Sequence, residues 1–290
     1  MRIVVTGRTG QLAASLSEQS LDIPDLELLT LGRPDFDLGA PATTVDQIEL
    51  LRPDLVINTA AYTAVDRAEV EPERAFAINR DSAFLVARAA NQMSIPLVHI
   101  STDYVFDGRK AEPYVEQDET GPLNVYGMSK LEGERAVLEA HPGALILRTS
   151  WVFSHFGSNF VRTMLKVGAG QSALKVVNDQ VGNPTSATDL AAAILGIAPT
   201  LRGVPGGLYH LTGEGSTSWH GFATFIFQQS VKHGGPAPFL EAISSAEYKA
   251  AAERPASTRL NCDAFASRFG MSLRPWTEAA AETVARCLHQ

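Results

Sequence analysis

Residues 3–13 constrain the fold more than any other stretch of this chain. Ile3, Val4, Val5 and Thr6 are four consecutive β-branched residues, the composition of a short buried strand. Gly7, Arg8, Thr9, Gly10, Gln11, Leu12 and Ala13 follow at once, and Leu12, Leu16 and Gln19 then recur at helical spacing. The pattern reads as strand, glycine turn and helix. Glycines at 7 and 10 let a cofactor pyrophosphate rest on backbone N–H groups at the helix amino terminus, where a Cβ would obstruct it. Ala13, the third small position, still allows close helix–strand packing. A tight βα turn without a ligand would use the same residues, so the placement directly after an opening strand gives the pattern its weight.

The rest of the first half keeps this alternation. Apolar runs at 26–31, 55–58, 96–100 and 145–149 read as strands, and 47–51, 71–79, 82–93 and 123–138 as helical stretches. Regular alternation implies an α/β fold, a Rossmann-type doubly wound parallel sheet with helices on both faces. After Trp151 the elements shorten and glycine becomes more frequent. We expect a dinucleotide-binding domain over 1–150 and a smaller, interleaved substrate domain mainly over 151–290. Strand-like runs at 174–177 and 207–211 are expected to return to the sheet. Two amphipathic helices are expected at 219–232 and 276–288.

Candidate site residues fall at the strand ends. In a helix over 123–138, Tyr126 and Lys130 lie one turn apart on one face. A cation there would favour phenolate and lower the tyrosine pKa towards the range useful for proton transfer. Alone the pair is weak, since a Tyr and Lys four apart arise by chance roughly once in a few hundred residues. A half-buried tyrosine with a solvated lysine is the plain alternative. The second strand closes on Thr30, Leu31, Gly32 and Arg33. An acid there would accept from the ribose 2′-hydroxyl of NAD, whereas an arginine suits the 2′-phosphate of NADPH. Arg33 is also readable as a solvated loop charge. Asp37 and Leu38 are placed to flank the adenine. Small residues from Thr59 to Thr63, Ala60 and Ala61 among them, suit close approach of a nicotinamide or ribose, or simply tight packing. Asn79 is placed behind the site, holding a water or a carbonyl, though a capping role is the commoner one for asparagine. Ser101 and Thr102 bring hydroxyls to the end of another strand, and 108–122, with its prolines and glycines, reads as a loop over the pocket.

Composition narrows the class. The formal net charge of −8, with no run of Lys and Arg, argues against a nucleic-acid partner. No apolar run is long enough to span a bilayer, and the amino terminus lacks the pattern of a signal peptide. Cys262 and Cys287 have neither zinc nor redox spacing, so a reducing cytoplasm is expected. His210, His220, His233 and His289 lack ligand spacing and read as core or surface residues.

Jointly, several blocks resemble the extended short-chain dehydrogenase/reductase family, in its branch of nucleotide-sugar reductases. They are Gly7 to Gln11; Asn58 with Ala60 to Asp66; Ser101 to Phe106; Pro122 to Gly127 with Lys130 and Glu134; Arg148 to Val152; Asn159 and Phe160; Asn178 to Gln180 with Gly182, Pro184 and Thr185; Arg254 and Pro255; and Ser257 to Asn261. The resemblance spans nearly the whole chain. It implies reduction of the C4 keto group of dTDP-4-dehydro-L-rhamnose to dTDP-L-rhamnose, with NADPH preferred and NADH possible. It also implies a catalytic set of Thr102, Tyr126 and Lys130, with Asp103, Tyr104 and Trp151 contacting the sugar and the indole offering an apolar face to the hexose. The cofactor would be held by Gly7, Arg8, Thr9, Gly10, Gln11, Leu12, Arg33, Asp37, Leu38, Ala60, Ala61, Thr63 and Asn79, together with Tyr126 and Lys130. Some members bind magnesium through glutamates at a dimer contact. The corresponding place lies near Thr188 and Asp189, where no glutamate stands, so no metal is expected, and the chain is expected as a monomer or homodimer. An epimerase or dehydratase of the same superfamily is the alternative enzyme; a non-catalytic subunit like the regulatory partner of methionine adenosyltransferase is the alternative of another class.

Overall fold

The computed structural model describes residues 1–39 and 44–289. The apolar runs form β1 (Arg2–Thr6), β2 (Glu27–Leu31), β3 (Leu55–Asn58), β4 (Leu97–Thr102) and β5 (Leu145–Thr149). Together with Gly207–His210 they make one six-stranded sheet, ordered Gly207–His210, β5, β4, β3, β1, β2. Every neighbouring pair is parallel. Strand periodicity sorts the side chains onto two faces. Ile3, Val5, Leu55, Ile57, Leu145 and Leu147 join one core with Leu12, Leu16, Leu190 and Ile194. Val56 and Ile146 join the other with Ile48, Val86 and Val137. β3 and β5 are buried along their whole length, as strands covered on both faces must be.

The strand order reverses between β1 and β3, because the chain leaves β1 for one side of it and returns on the other. Ligand crevices open outside the carboxyl ends of strands at such a reversal. Gly7, at φ +102°, sits where a Cβ would stand 2.9 Å from Thr59 Oγ1 and 3.2 Å from the Ala60 nitrogen. The two loops that follow β1 and β3 therefore converge at a point only glycine fits.

Several elements differ from expectation for identifiable reasons. The helix expected over 123–138 is Val125–Ala140, because Asn124 is extended and its side chain accepts from the Gly127 N–H at 2.8 Å. The stretch 71–93 is Pro72–Phe76, a π-helical turn Ala77–Ser82, and Ala83–Gln92. Of the two later strands expected to return to the sheet, Gly207–His210 does. Ala173–Val177 instead pairs in parallel with Phe239–Ile243. It buries only alternate positions at its start, with Ala173 and Lys175 exposed, which suits a strand covered on one face. Among the described residues no helix is long and apolar enough to cross a membrane. Asp189 is held by Arg274 at 2.9 Å, and Arg274 also pairs with Glu282 at 2.6 Å.

Helix Val125–Ala140 lies hard against its neighbours through two glycines. A Cβ at Gly127 would overlap the carbonyl of Tyr104, and one at Gly133 the carbonyl of Asn79. This approach sets the depth at which Tyr126 and Lys130 enter the strand ends. We predict that Gly133→Ala destabilises the fold by roughly 1–3 kcal/mol through overpacking, read as a lower urea midpoint with an unchanged slope.

Candidate active site

A cleft of ≈1260 Å³ runs along the carboxyl ends of the strands. Its first wall is the glycine turn, Gly7, Arg8, Thr9, Gly10, Gln11 and Leu12. Helix Gln11–Ser20 begins there with no acidic residue in its first turn and no side-chain cap from Gly10. The first N–H groups of a helix have no partner within it; here no side chain among the described residues caps them either, which suits an anion such as a pyrophosphate. Gln11 instead donates to the Val152 carbonyl at 3.2 Å and accepts from Ser154 at 3.0 Å, tying the turn to the opposite wall. Arg33, Asp37 and Leu38 line the far end. Gly32 packs directly on Arg8, where a Cβ would overlap the Arg8 stem, and Arg8 is paired with Asp35 at 3.0 Å. Ala60, Ala61 and Thr63 form the floor after β3.

At the other end the cleft is lined by Thr102, Asp103, Tyr126, Lys130 and Trp151. Tyr126 is half-buried, and burial pushes its phenol up to about 12, against a hydrogen bond from Thr102. The expected lowering by Lys130 is not what this arrangement produces. Four-residue spacing does put both side chains on one helix face, yet the Lys130 ammonium turns to the Ile100 carbonyl at 2.7 Å. Burial pulls Lys130 itself down to about 8, with Glu134 opposing. A buried phenol and a buried amine thus both move towards their neutral forms.

Thr102 donates to Asp103 Oδ1 at 3.0 Å and accepts from the Tyr104 N–H at 3.2 Å. Burial raises Asp103 to about 7, against hydrogen bonds from Thr258 and Thr102, and its Oδ2 has no hydrogen-bond partner among the described residues. Tyr104 does not line the cleft; its ring stands edge-on to Tyr126 at 5.8 Å. Trp151 lines the cleft in the left-handed region, φ 45°, and stacks on Trp219 at 3.5 Å and 7°. One indole face is therefore already covered, which leaves less of the ring for a sugar than the sequence suggested.

Beneath these groups Glu134 and Arg148 form a buried two-pronged ion pair, with contacts of 2.9 and 2.7 Å, and Ser101 donates to the same carboxylate at 2.5 Å. It joins the helix to β4 and β5. Asn79 is not part of the cleft wall. It accepts from the Tyr62 N–H at 2.8 Å and donates to the Tyr62 carbonyl at 3.1 Å and to Ser129 at 2.9 Å, so it fixes the floor from behind. Residues 108–122 do not close over the cleft either. Tyr114 exchanges backbone hydrogen bonds with Arg259 and Asn261, at 2.7 and 2.8 Å, and stacks on Phe106 at 4.1 Å, so this segment is bound to the chain near 255–261. The sequence did not single out Arg67, Arg74 and Leu190, which also line the cleft, because nothing local marks a residue brought there by distant packing.

The family model described as "RmlD substrate binding domain" matches residues 1–289. A dTDP-4-dehydrorhamnose reductase from Sinorhizobium fredii is 47% identical over 288 residues, covering 98% of this chain and 97% of the relative. The chain belongs to this reductase family. Among solved structures, a dTDP-4-dehydrorhamnose reductase from Clostridium acetobutylicum superposes with a TM-score of 0.93 at 35% identity, covering all of both chains. A dTDP-4-dehydrorhamnose reductase from Bacillus anthracis in complex with NADP superposes with a TM-score of 0.91 at 33% identity, covering 98% of this chain and 99% of that one. Family membership accounts for the polar cleft; the physical consequence of burying its acid can be measured separately.

Between the ordinary carboxyl pKa, about 4, and its folded value of about 7, Asp103 keeps a proton that the unfolded chain has released. Its contribution to stability is therefore present at low pH and lost as pH rises through that window. His99 and His210, held neutral by burial, act in the opposite sense, so the comparison must be between proteins. Asp103→Asn should lose less stability than the unmodified chain from about pH 4 to about pH 7. Parallel curves in urea unfolding would place an ionised carboxylate at Asp103 throughout.

Proposed function

We propose that this chain reduces the C4 keto group of dTDP-4-dehydro-L-rhamnose to dTDP-L-rhamnose, using NADPH in preference to NADH. The observation that carries the proposal is the convergence of Thr102, Tyr126 and Lys130 on one end of a cleft whose other end is the glycine turn and Arg33, in a chain matched along its length by dTDP-4-dehydrorhamnose reductases. Residues 1–150, with strand Gly207–His210, would hold the dinucleotide, and 151–290 mainly the sugar nucleotide.

Residues of the glycine turn present N–H groups to the pyrophosphate. Arg33 meets the 2′-phosphate, and Asp37 and Leu38 border the adenine. The backbone at Ala60, Ala61 and Thr63 admits the ribose and nicotinamide closely. NADPH supplies the hydride that reduces the C4 carbon. Tyr126 gives its phenol proton to the C4 oxygen as charge develops there, and burial keeps that proton in place beforehand. Thr102 turns its one O–H from Asp103 Oδ1 to the same oxygen when substrate binds. Lys130 holds the ribose. Trp151 contacts the sugar with what its stack on Trp219 leaves free, and Tyr104 supports Tyr126 from outside the cleft.

Purified protein should oxidise NADPH when given dTDP-4-dehydro-L-rhamnose, and Tyr126→Phe should lower kcat by roughly 10²- to 10⁴-fold. No oxidation by the unmodified chain sinks the reductase assignment, whereas full activity in the variant removes only the acid role of Tyr126. Replacing Arg33 by Ala should lower kcat/KM for NADPH by roughly 10- to 100-fold, the worth of a charge-assisted contact, and leave that for NADH little changed. Equal losses with both cofactors would place Arg33 away from the 2′-phosphate.

A further inference from the structure

Behind the cleft lies a line of buried polar side chains, three of which have no part in the proposed mechanism. Thr6, Asn58, His99 and Lys130 are 0%, 1%, 1% and 2% exposed. Thr6 and Asn58 are direct cross-strand partners, as are Asn58 and His99, so the line crosses β1, β3 and β4 in register. Thr6 Oγ1 donates to Asn58 Oδ1 at 2.6 Å. Asn58 Nδ2 faces His99 Nδ1 at 3.0 Å, and His99 Nε2 faces Lys130 Nζ at 3.5 Å. Lys130 also donates to the Ile100 carbonyl at 2.7 Å.

Hydrogen-bond polarity makes this line selective. Burial, and then the neighbouring Lys130 charge, hold the His99 pKa well below its ordinary value, so the imidazole is neutral. A neutral imidazole has one N–H and one acceptor nitrogen. When Asn58 donates to Nδ1, the ring hydrogen is on Nε2 and points at Lys130. An amine, with its lone pair, can accept that hydrogen; an ammonium cannot. For the ammonium, Nε2 must accept, Nδ1 must carry the hydrogen, and the Asn58 amide must turn over so that its oxygen meets Nδ1 and its NH₂ meets Thr6. Mixed arrangements set two N–H groups or two lone pairs face to face in a buried place, which is costly.

We propose that His99 is a positioning residue for Lys130: the line Thr6, Asn58, His99 has two complete hydrogen-bonding arrangements, and the charge on Lys130 selects between them. One proton leaves Lys130 on passing from the arrangement that suits the ammonium to the one that suits the amine. The imidazole keeps a single proton and changes only the nitrogen that bears it. With the Ile100 carbonyl constant and His99 as second partner, a third N–H of the ammonium is left for the cleft. The other ionisable groups around Lys130 are Glu134 on the next turn, held by Arg148, and Tyr126 and Asp103 on the cleft side. Burial brings Lys130 down to about 8, which puts the changeover in an accessible range.

The proposal rests on Lys130 belonging to the reductase site, but its first test is independent of turnover. In protein labelled with ¹⁵N-histidine, the two ring nitrogens of His99 should exchange character as pH rises from about 6 to about 10. Nδ1 would pass from N–H-bearing to acceptor, and Nε2 the reverse. A single tautomer across that range overturns the proposal, whatever the enzyme does. In NADPH oxidation assays, His99→Phe keeps a ring but removes the acceptor, so the alkaline limb of kcat/KM should move down by about one pH unit. His99→Gln, which can accept or donate, should restore it. Asn58→Leu should move the limb the same way, and the double variant should not add the two shifts. An unmoved limb in His99→Phe reduces the residue to packing. If no variant or unmodified chain oxidises NADPH while the tautomer exchange is seen, the reductase assignment fails and the relay stands.

Discussion

The central sheet is covered by helices on both faces, so its inner strands are buried and largely apolar in their middles. Ile3, Val5, Leu55 and Ile57 are fully buried on one face, and Val56 and Ile146 on the other. Backbone groups within the ladder are satisfied by neighbouring strands, and polar side chains gather at the strand carboxyl ends, with His99 an exception inside β4. There Thr6, Asn58, Thr102 and Thr149 close β1, β3, β4 and β5. The reversal of strand order between β1 and β3 opens the crevice at these ends, and Gly7 against Thr59 and Ala60 keeps its two lips in contact. The rest of the site depends on that placement.

The site is tuned mainly by desolvation. Burial raises Tyr126 and Asp103 and lowers Lys130 and His99, so each is driven towards its neutral form. A phenol kept protonated is suited to donating, and an amine with a softened pKa is sensitive to what lies beside it. Beneath the site two charges persist as a pair. Glu134 accepts from Arg148 and from Ser101, in a geometry where removing one partner would strand the other. That pair ties helix Val125–Ala140 to β4 and β5, and the close approach at Gly127 and Gly133 fixes its height.

Local patterns in the first 150 residues were sufficient for the five strands there and their order, whereas helices Phe160–Gly168 and Ala187–Ile197 and strand Phe239–Ile243 were not read from the sequence. β-Branched and apolar runs at 3–6, 55–58 and 145–149, separated by helical periodicity, determine a parallel doubly wound sheet, because both periods are properties of adjacent residues. The glycine turn, Arg33 and Thr102 were legible as candidates because each sits at the end of a recognisable element, Tyr126 and Lys130 because of their helical spacing, and Trp151 only through the family resemblance. Their meeting in one cleft was not legible, and neither was the partner each would take.

Tertiary structure decided those partners. Spacing placed Lys130 one turn from Tyr126, but a carbonyl of β4 captures its ammonium. Asn79 was placed behind the site by sequence, and packing turned it onto Tyr62 and Ser129. Residues 108–122 read as a loop, and their attachment to 255–261 depends on residues more than a hundred positions away. Ala173–Val177 read as a strand, yet its sheet was chosen by Phe239–Ile243. The line from Thr6 to Lys130 joins positions on three strands and a helix that share no local signal. Sequence alone determined which segments fold and what chemistry they carry, because propensity and periodicity are local. Which groups are desolvated together, and therefore how each titrates and what each contacts, follows from packing between distant segments.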